Sequence, residues 1–437
     1  MNNIKQQQKT GGAALLIFII FFVLTSTLVV LGIGDGVTDD LVLYRTLESG
    51  KKSFYASEAG IEDAIYRYRT GKNYSSSESF TLAGVSVTAT RTFVTDRYEF
   101  AVRADDQNKI RKNEAGIIVG DGVSFEFGLQ GGNGGITQSN NSKVYGDVFS
   151  NGQVIGAGNA TVYGDIVSAK SNGLISNIHA TGSAWAHTIS GSQIDKDAYY
   201  VSKVGTIVSG TSYPNSPDQA TATFPISDAL IQEWKQGITD TGTVIASTSA
   251  QCSSGTYMIQ SDITLGNVKI DCNVHIKKQG ASTKVTFTGP VWINGNLDFS
   301  SGPSIVASTS LGILSSVVMV DSSTASTTGG KISVNQSTDF TSGDAKSFVL
   351  LLSMNRSAEQ GGTVRAIDVA QSANGKVLLY ASHGRIVIGN SISLKEVTAY
   401  QIDVNNGATV IYEAGLASLV FKSVVAGYAI TEWQEVK

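Results

Sequence analysis

Val144-Tyr145-Gly146-Asp147-Val148 returns as Val162-Tyr163-Gly164-Asp165-Ile166, 18 residues further along the chain. Each copy is a short β-branched and aromatic run followed by a Gly-Asp corner. A unit of that length cannot bury its own apolar side, so it needs copies stacked on it. Short strands, tight corners and a period near 20 residues indicate a β-solenoid. The same signal spreads outward. Val285, Val291 and Leu297 stand six apart, each opening a short strand, and Asn-Gly recurs at 151–152, 172–173, 294–295, 374–375 and 406–407. Unbroken apolar runs at 317–320, 348–352 and 377–380 suit fully buried strands. These signs predict one continuous β-helix over 136–437, with closing coils from Ala408 through Trp433. One helix, 226–236, interrupts it. Ser227 would cap it, Ile226 and Ile231 would form a staple, and Gly237 would end it. Such a helix would cover the side or an end of the stack.

Upstream of the repeats the pattern changes. Residues 13–33, AALLIFIIFFVLTSTLVVLGI, carry no charge, and none lies between Lys9 and Asp35. As a helix this run is ~31 Å long, enough to cross a bilayer. Lys5 and Lys9 precede it; Asp35, Asp39 and Asp40 follow. That asymmetry predicts a single-pass protein of the cell membrane with its C-terminal bulk outside the cytoplasm. A cleaved secretory signal fits less well, since its apolar region is shorter and ends in a small-residue cleavage site. Gly32, Gly34 and Gly36 predict a loosened joint, each glycine costing a helix ~1 kcal/mol relative to alanine. A second helix is expected from Val37 to Thr70, stopped by Gly71. Tyr44, Leu47, Phe54, Ile61, Ile65 and Tyr68 form its apolar stripe, expected to lie on the sheet that follows. Alternation at 85–90 and 98–102, with runs at 115–119 and 123–127, gives the strands of that sheet. The glycine cluster 130–135 reads as a linker. The expected fold is therefore mainly β. A long N-terminal helix (a leader at 1–12, a span at 13–33 and an outer part at 34–72) leads into a small antiparallel sheet at 73–130, making an α+β headgroup, and the β-solenoid follows.

Gly11-Gly12 directly before the apolar helix resembles the leader of type IV pilins and pseudopilins. Ala56, Glu58, Ala59 and Gly60, within 54–62, resemble the A-x-E-A-G segment of the PilX-type minor pilin N-terminal family. Together the likeness covers roughly residues 9–70. It implies a prepilin peptidase cutting between Gly12 and Ala13, and partnership with the membrane and with other pilin or pseudopilin subunits. Ile17 stands where the family carries a glutamate, which argues against a filament-building major subunit and for a minor or tip subunit. Residues 136–437 resemble the uncharacterised β-helical extension that some surface proteins carry after a PilX-type N-terminus. The likeness rests on the Pro-Ile-Ser-Asp helix, Tyr412 to Leu416, and the terminal Trp433-Gln434-Glu435-Val436, and it implies no known chemistry.

Composition narrows the function classes. A net charge of −4 gives no basic field for nucleic acid. Cys252 and Cys272, 20 residues apart, could pair outside the cytoplasm, on adjacent rungs of the stack, or remain reduced and buried. His179, His187, His275 and His383 show no metal-ligand spacing, and no nucleophile elbow or phosphate loop is present. No cofactor or metal is therefore expected. β-Helices also host polysaccharide lyases and hydrolases; Asp262 and Asp271 near Lys269, and Arg365 with Asp368, are the candidates for that alternative. Tyr145, Tyr163 and Trp185 could meet surface glycans or simply stack between coils. The reading reached is a non-enzymatic, pilus-associated surface protein, with a membrane-anchored adhesin outside any pilus as the first alternative.

Overall fold

The first element of the described residues is one uninterrupted helix, α1 (Gly11–Arg69). It passes through Gly32, Gly34 and Gly36 without the expected joint, because the strong helix formers on both sides outweigh a penalty spread over three residues. The computed structural model describes residues 11–69, 76–94, 97–280, 282–324, 326–370, 373–422 and 428–436. Leader residues 1–10 and the expected stop at Gly71 lie outside that set. The chain divides into two units, Met1–Ile117 with Ile430–Lys437, and Ile118–Ala429.

In the first unit α1 packs on an antiparallel meander: β1 (Ser77–Leu82), β2 (Val85–Val94), β3 (Arg97–Asp106) and β4 (Lys109–Val119). The β3–β4 turn holds Gln107 and Asn108 at φ 51° and 63°, the pair of left-handed residues a two-residue hairpin requires. Ala56, Ile61, Ala64 and Ile65 of α1 are buried, as are Val85, Val87, Phe100 and Val102 of the sheet. Only the C-terminal part of the expected stripe is covered, for Tyr44 and Leu47 remain exposed. A further strand, Tyr428–Val436, joins the sheet beside β4. This corrects two expectations. Trp433 belongs to this sheet and not to a closing coil, and the sheet does not extend to residue 130.

The second unit is a three-sided parallel stack. Lys143–Tyr145, Val148–Ser150 and Val154–Gly156 make the sides of one coil, and Thr161–Tyr163, Ile166–Ser168 and Leu174–Ser176 make those of the next. Val144 pairs with Val162, Tyr145 with Tyr163 and Val148 with Ile166, so the repeat in the sequence is one coil. The six-residue step from Val285 to Leu297 instead runs from side to side, since Lys284–Phe287, Val291–Asn294 and Leu297–Ser300 are successive faces.

The stack is not wound in chain order. From the coil at 143–145 the chain climbs through 161, 179 and 193 to an end at Ile207–Val208. It then crosses to the opposite end, restarts at 243–265, and winds back until Thr409–Ile411 pairs with Lys143–Tyr145. Two half-stacks thus meet in the middle, where the chain also enters and leaves; the flanking segments Asp121–Val123 and Leu419–Phe421 pair antiparallel with each other and lie beside Ser315 of the returning half-stack. The expected single winding over 136–437 is corrected, because parallel rungs fix what can pair and leave open which coil does so.

Residues 130–135 are not a linker. They lie in Leu129–Gln138, the first rung. A Cβ on Gly131 would stand 2.9 Å from Ser150 Oγ of the next coil, and one on Gly132 2.9 Å from Tyr400 of the coil on the other side, so these glycines permit close packing of coils. Of the expected strand at 123–127, only Val123 is in a strand.

The crossing segment carries α2 (Asp228–Thr241), longer than the expected 226–236. Ser227 caps it by accepting from the Leu230 N–H. Gly237 is buried inside it, and Gly242 follows its end. Ile231, Trp234 and Ile238 cover Val317, Met319, Leu350 and Leu352 on one side of the stack.

Candidate interaction surfaces

The A-x-E-A-G segment is where α1 settles onto its sheet. A Cβ on Gly60 would lie 2.8 Å from Val102 Cγ1 and 2.9 Å from Val87 Cγ1, so the bare backbone lets the helix descend. Ala56 is buried for the same reason; Ala59 is half-buried. The Glu58 carboxylate accepts from the Asn113 amide (3.1 Å) and the Trp433 indole N–H (3.3 Å). Asn113, fully buried in β4, also donates to the Ser57 hydroxyl (3.1 Å). The four residues therefore fasten the helix to the sheet and form no open site. Asn113 was legible in principle, since it shares the inward parity of Ala115 and Ile117. Gly12 and Ala13 lie in the helical part of the chain, and Ile17 is exposed on the same apolar rod.

That rod is the largest uncovered apolar surface described. Large apolar side chains from Leu15 to Leu47 are exposed. Among the described helices, α1 alone is long and apolar enough to cross a membrane.

On the solenoid, the carboxylates of the repeat act on the next coil. Asp147 accepts from the Asp165 N–H (2.7 Å), Asp165 from the Ser183 N–H (2.7 Å), and Asp197 from the Thr211 N–H (2.8 Å). The candidate catalytic charges are likewise engaged. Asp262 accepts from the Lys284 N–H, Asp271 pairs with Lys269 (2.9 Å), and Arg365 with Asp368 (2.8 Å).

Each histidine has an acidic neighbour. His179 meets Asp195, His187 meets Asp218, and His383 lies between Glu359 (2.8 Å) and Asp228 (2.9 Å). Gln193, and after it His179, hold the Asp195 carboxyl below its ordinary range. His275 Nε2 lies 2.6 Å from Ser300 Oγ and 3.1 Å from Asp298. Both partners share one ring nitrogen, whereas a nucleophilic relay needs the acid on the other. Among the described residues no group of three or more His, Cys, Asp or Glu is placed to hold a metal.

The aromatic residues form ladders. Tyr145 stacks on Tyr163 with centroids 4.5 Å apart, and Trp185, Tyr199 and Tyr213 stack in series at 5.1 and 4.6 Å. Their faces are used on one another, and the edges of Tyr145 and Tyr163 reach solvent. The Cys252 and Cys272 sulfurs are bonded at 2.09 Å, and the bond joins the coil that restarts the winding to its neighbour. One buried group, Glu396, gave no signal in the sequence, whereas Tyr380 lies in the run 377–380 expected to be buried. Glu396 is fully enclosed, and burial pushes its pKa well above the ordinary value. Tyr380, raised by the same cause, donates to the Ile226 carbonyl.

No protein-family model matches the chain, and no curated protein matches it. Among solved structures, the competence-associated pilin ComZ from Thermus thermophilus is 12% identical over 89% of this chain and 97% of its own, with a TM-score of 0.29. An ice binding protein from an Antarctic bacterium of the Flavobacteriaceae is 9% identical over 65% of this chain and 81% of its own, with a TM-score of 0.15. At such scores and identities neither likeness carries an argument about this chain.

Proposed function

We propose that the chain is a pilin-type surface subunit of low copy number, non-enzymatic, that presents its β-helix outside the cell. In this reading a prepilin peptidase cuts between Gly12 and Ala13. The single-pass helix then leaves the bilayer and packs among the helices of other pilin or pseudopilin subunits. The observation that carries the reading is the length of the uncovered rod. The uncharged run ends at Ile33, but beyond Asp35, Asp39 and Asp40 large apolar side chains stay exposed as far as Leu47, so exposed apolar side chains recur along ~50 Å of α1 against a hydrocarbon core of ~30 Å. Val37, Leu41, Val42, Leu43, Tyr44 and Leu47 lie beyond what lipid covers and call for other helices. The PilX-type A-x-E-A-G segment and the Gly-Gly leader support the same assignment. Ile17, in place of the assembly glutamate, favours a minor or tip position.

N-terminal sequencing of the mature protein, together with its detection in sheared filaments, tests the reading. A chain starting at Ala13 and present in filaments is the expected result; an intact Met1 confined to envelope fractions overturns it. A membrane-anchored adhesin is the second reading, favoured by the exposed edges of Tyr145 and Tyr163, which could meet surface glycans. It predicts leader removal without filament incorporation.

A further inference from the structure

Gly50 and Gly60 lie in the same helix, and the fold uses them differently. A side chain at Gly60 would strike Val87 and Val102, so its absence serves the packing of α1 on the sheet. At Gly50 nothing lies within 4 Å of where a Cβ would stand. Glycine weakens a helix interior relative to alanine, and no neighbour in this chain accounts for it here. Gly50 also sits at the floor of a groove of about 630 Å³ between α1 and the β3–β4 turn. Ser53 fixes that turn against the helix, donating to the Lys109 carbonyl and accepting from the Asp106 N–H. The walls include Leu47, Phe54, Tyr55 and Ile110, with Leu47, Tyr55 and Ile110 exposed.

Charge marks the rim. Arg111 is paired with Glu435 (2.8 Å) and Lys52 with Glu48 (2.9 Å), whereas Lys51 and Lys109 have no ion pair among the described residues. The groove is out of reach of lipid tails: Gly50 lies about 25 Å along the helix from the end of the apolar run at Ile33. A bare backbone notch on a helix, flanked by exposed apolar side chains, suits the close crossing of a second helix.

We propose that this groove receives an apolar α-helix of another pilin-type subunit, seated against Gly50 and placing a carboxylate between Lys51 and Lys109. The inference rests on the assignment to a pilus and names the contact within it. The test uses the full-length protein in its own cells, with a benzophenone amino acid at Leu47 or Ile110 and mass-spectrometric mapping of the adduct. The expected adduct joins an N-terminal helix of a different pilin-type subunit, with Asp or Glu within a turn of the linked residue. Gly50→Leu should cut the yield at least tenfold while leaving the unfolding temperature unchanged or raised. Lys51→Glu with Lys109→Glu should do the same, and Lys51→Arg with Lys109→Arg should restore the adduct. An adduct to lipid alone or to a non-helical segment, or an undiminished yield from Gly50→Leu, overturns the proposal. If the protein is absent from filaments but the adduct persists, the pilus assignment fails and the groove stands. If it enters filaments and Gly50→Leu changes nothing, the reverse holds.

Discussion

Glu396 sits at the join of the two half-stacks, its Oε1 accepting from Thr398 (2.5 Å) and its Oε2 without a partner among the described residues. Burial favours the protonated form, so the folded chain holds a proton that the unfolded chain releases above its ordinary pKa of 4.5. The sign follows. The contribution to stability is complete below that pH and is lost as pH rises toward the elevated folded value. Each pH unit of displacement corresponds to about 1.4 kcal/mol. Glu396→Gln should therefore flatten the slope of unfolding temperature between pH 5 and 8 and be the more stable protein at pH 8; an unchanged slope would place the titrating group elsewhere. At Gly60 the issue is space. Gly60→Leu should destabilise the first unit by roughly 1–3 kcal/mol through overpacking against Val87 and Val102, despite leucine's better helix propensity. Chemical denaturation followed at the Trp433 indole would read this. The A-x-E-A-G residues could be picked out in the sequence, but their job could not, because Asn113, Val87 and Val102 approach them only after the sheet forms.

Among the elements, the restarting coil at 243–265 is the one with a covalent tie. It has a coil on one side only, and the Cys252–Cys272 bond joins it to that neighbour. Replacing both cysteines by serine should cost ~3 kcal/mol for a loop of this length. Protection from hydrogen exchange should fall first in Thr256–Ile259, and a uniform loss over the whole stack would contradict this local picture. The element that spans the coils is the crossing segment. Its Ala222 exchanges hydrogen bonds with the Asn151 side chain (2.8 and 3.0 Å), its Thr223 carbonyl accepts from Gln130, and Lys235 pairs with Asp321 (2.6 Å) while lying 4.8 Å from the centre of the Trp292 ring. Trp234, almost wholly buried, donates to Asp121. Trp234→Ala should lower stability by about 3–5 kcal/mol in thermal unfolding. The start of α2 was readable from Ser227, while its end was not. Gly237 is a strong stop signal that burial against the stack overrides, and the helix continues to Thr241.

For the molecule as a whole, the local periods were plain and the long-range order was hidden. Each strand announces its own length, and the 18-residue step announces a coil. Nothing local says that Thr409–Ile411 lies beside Lys143–Tyr145, or that Tyr428–Val436 completes a sheet begun before residue 120. The chain enters the stack at Leu129 and leaves it at Ile411, both at the join, and the antiparallel pair Asp121–Val123 and Leu419–Phe421 ties the two flanking segments together as a neck. Residues 118–429 expressed alone should accordingly fold with one cooperative transition, checked by calorimetry; failure would mean that the stack needs the first unit. The neck has an evolutionary corollary. Since the polypeptide joins its coil stack halfway along, turns can be duplicated or deleted at either tip without disturbing the junction. Related chains should differ in reach symmetrically or lopsidedly about a constant midpoint, the way a beam is lengthened from both ends of a fixed bracket.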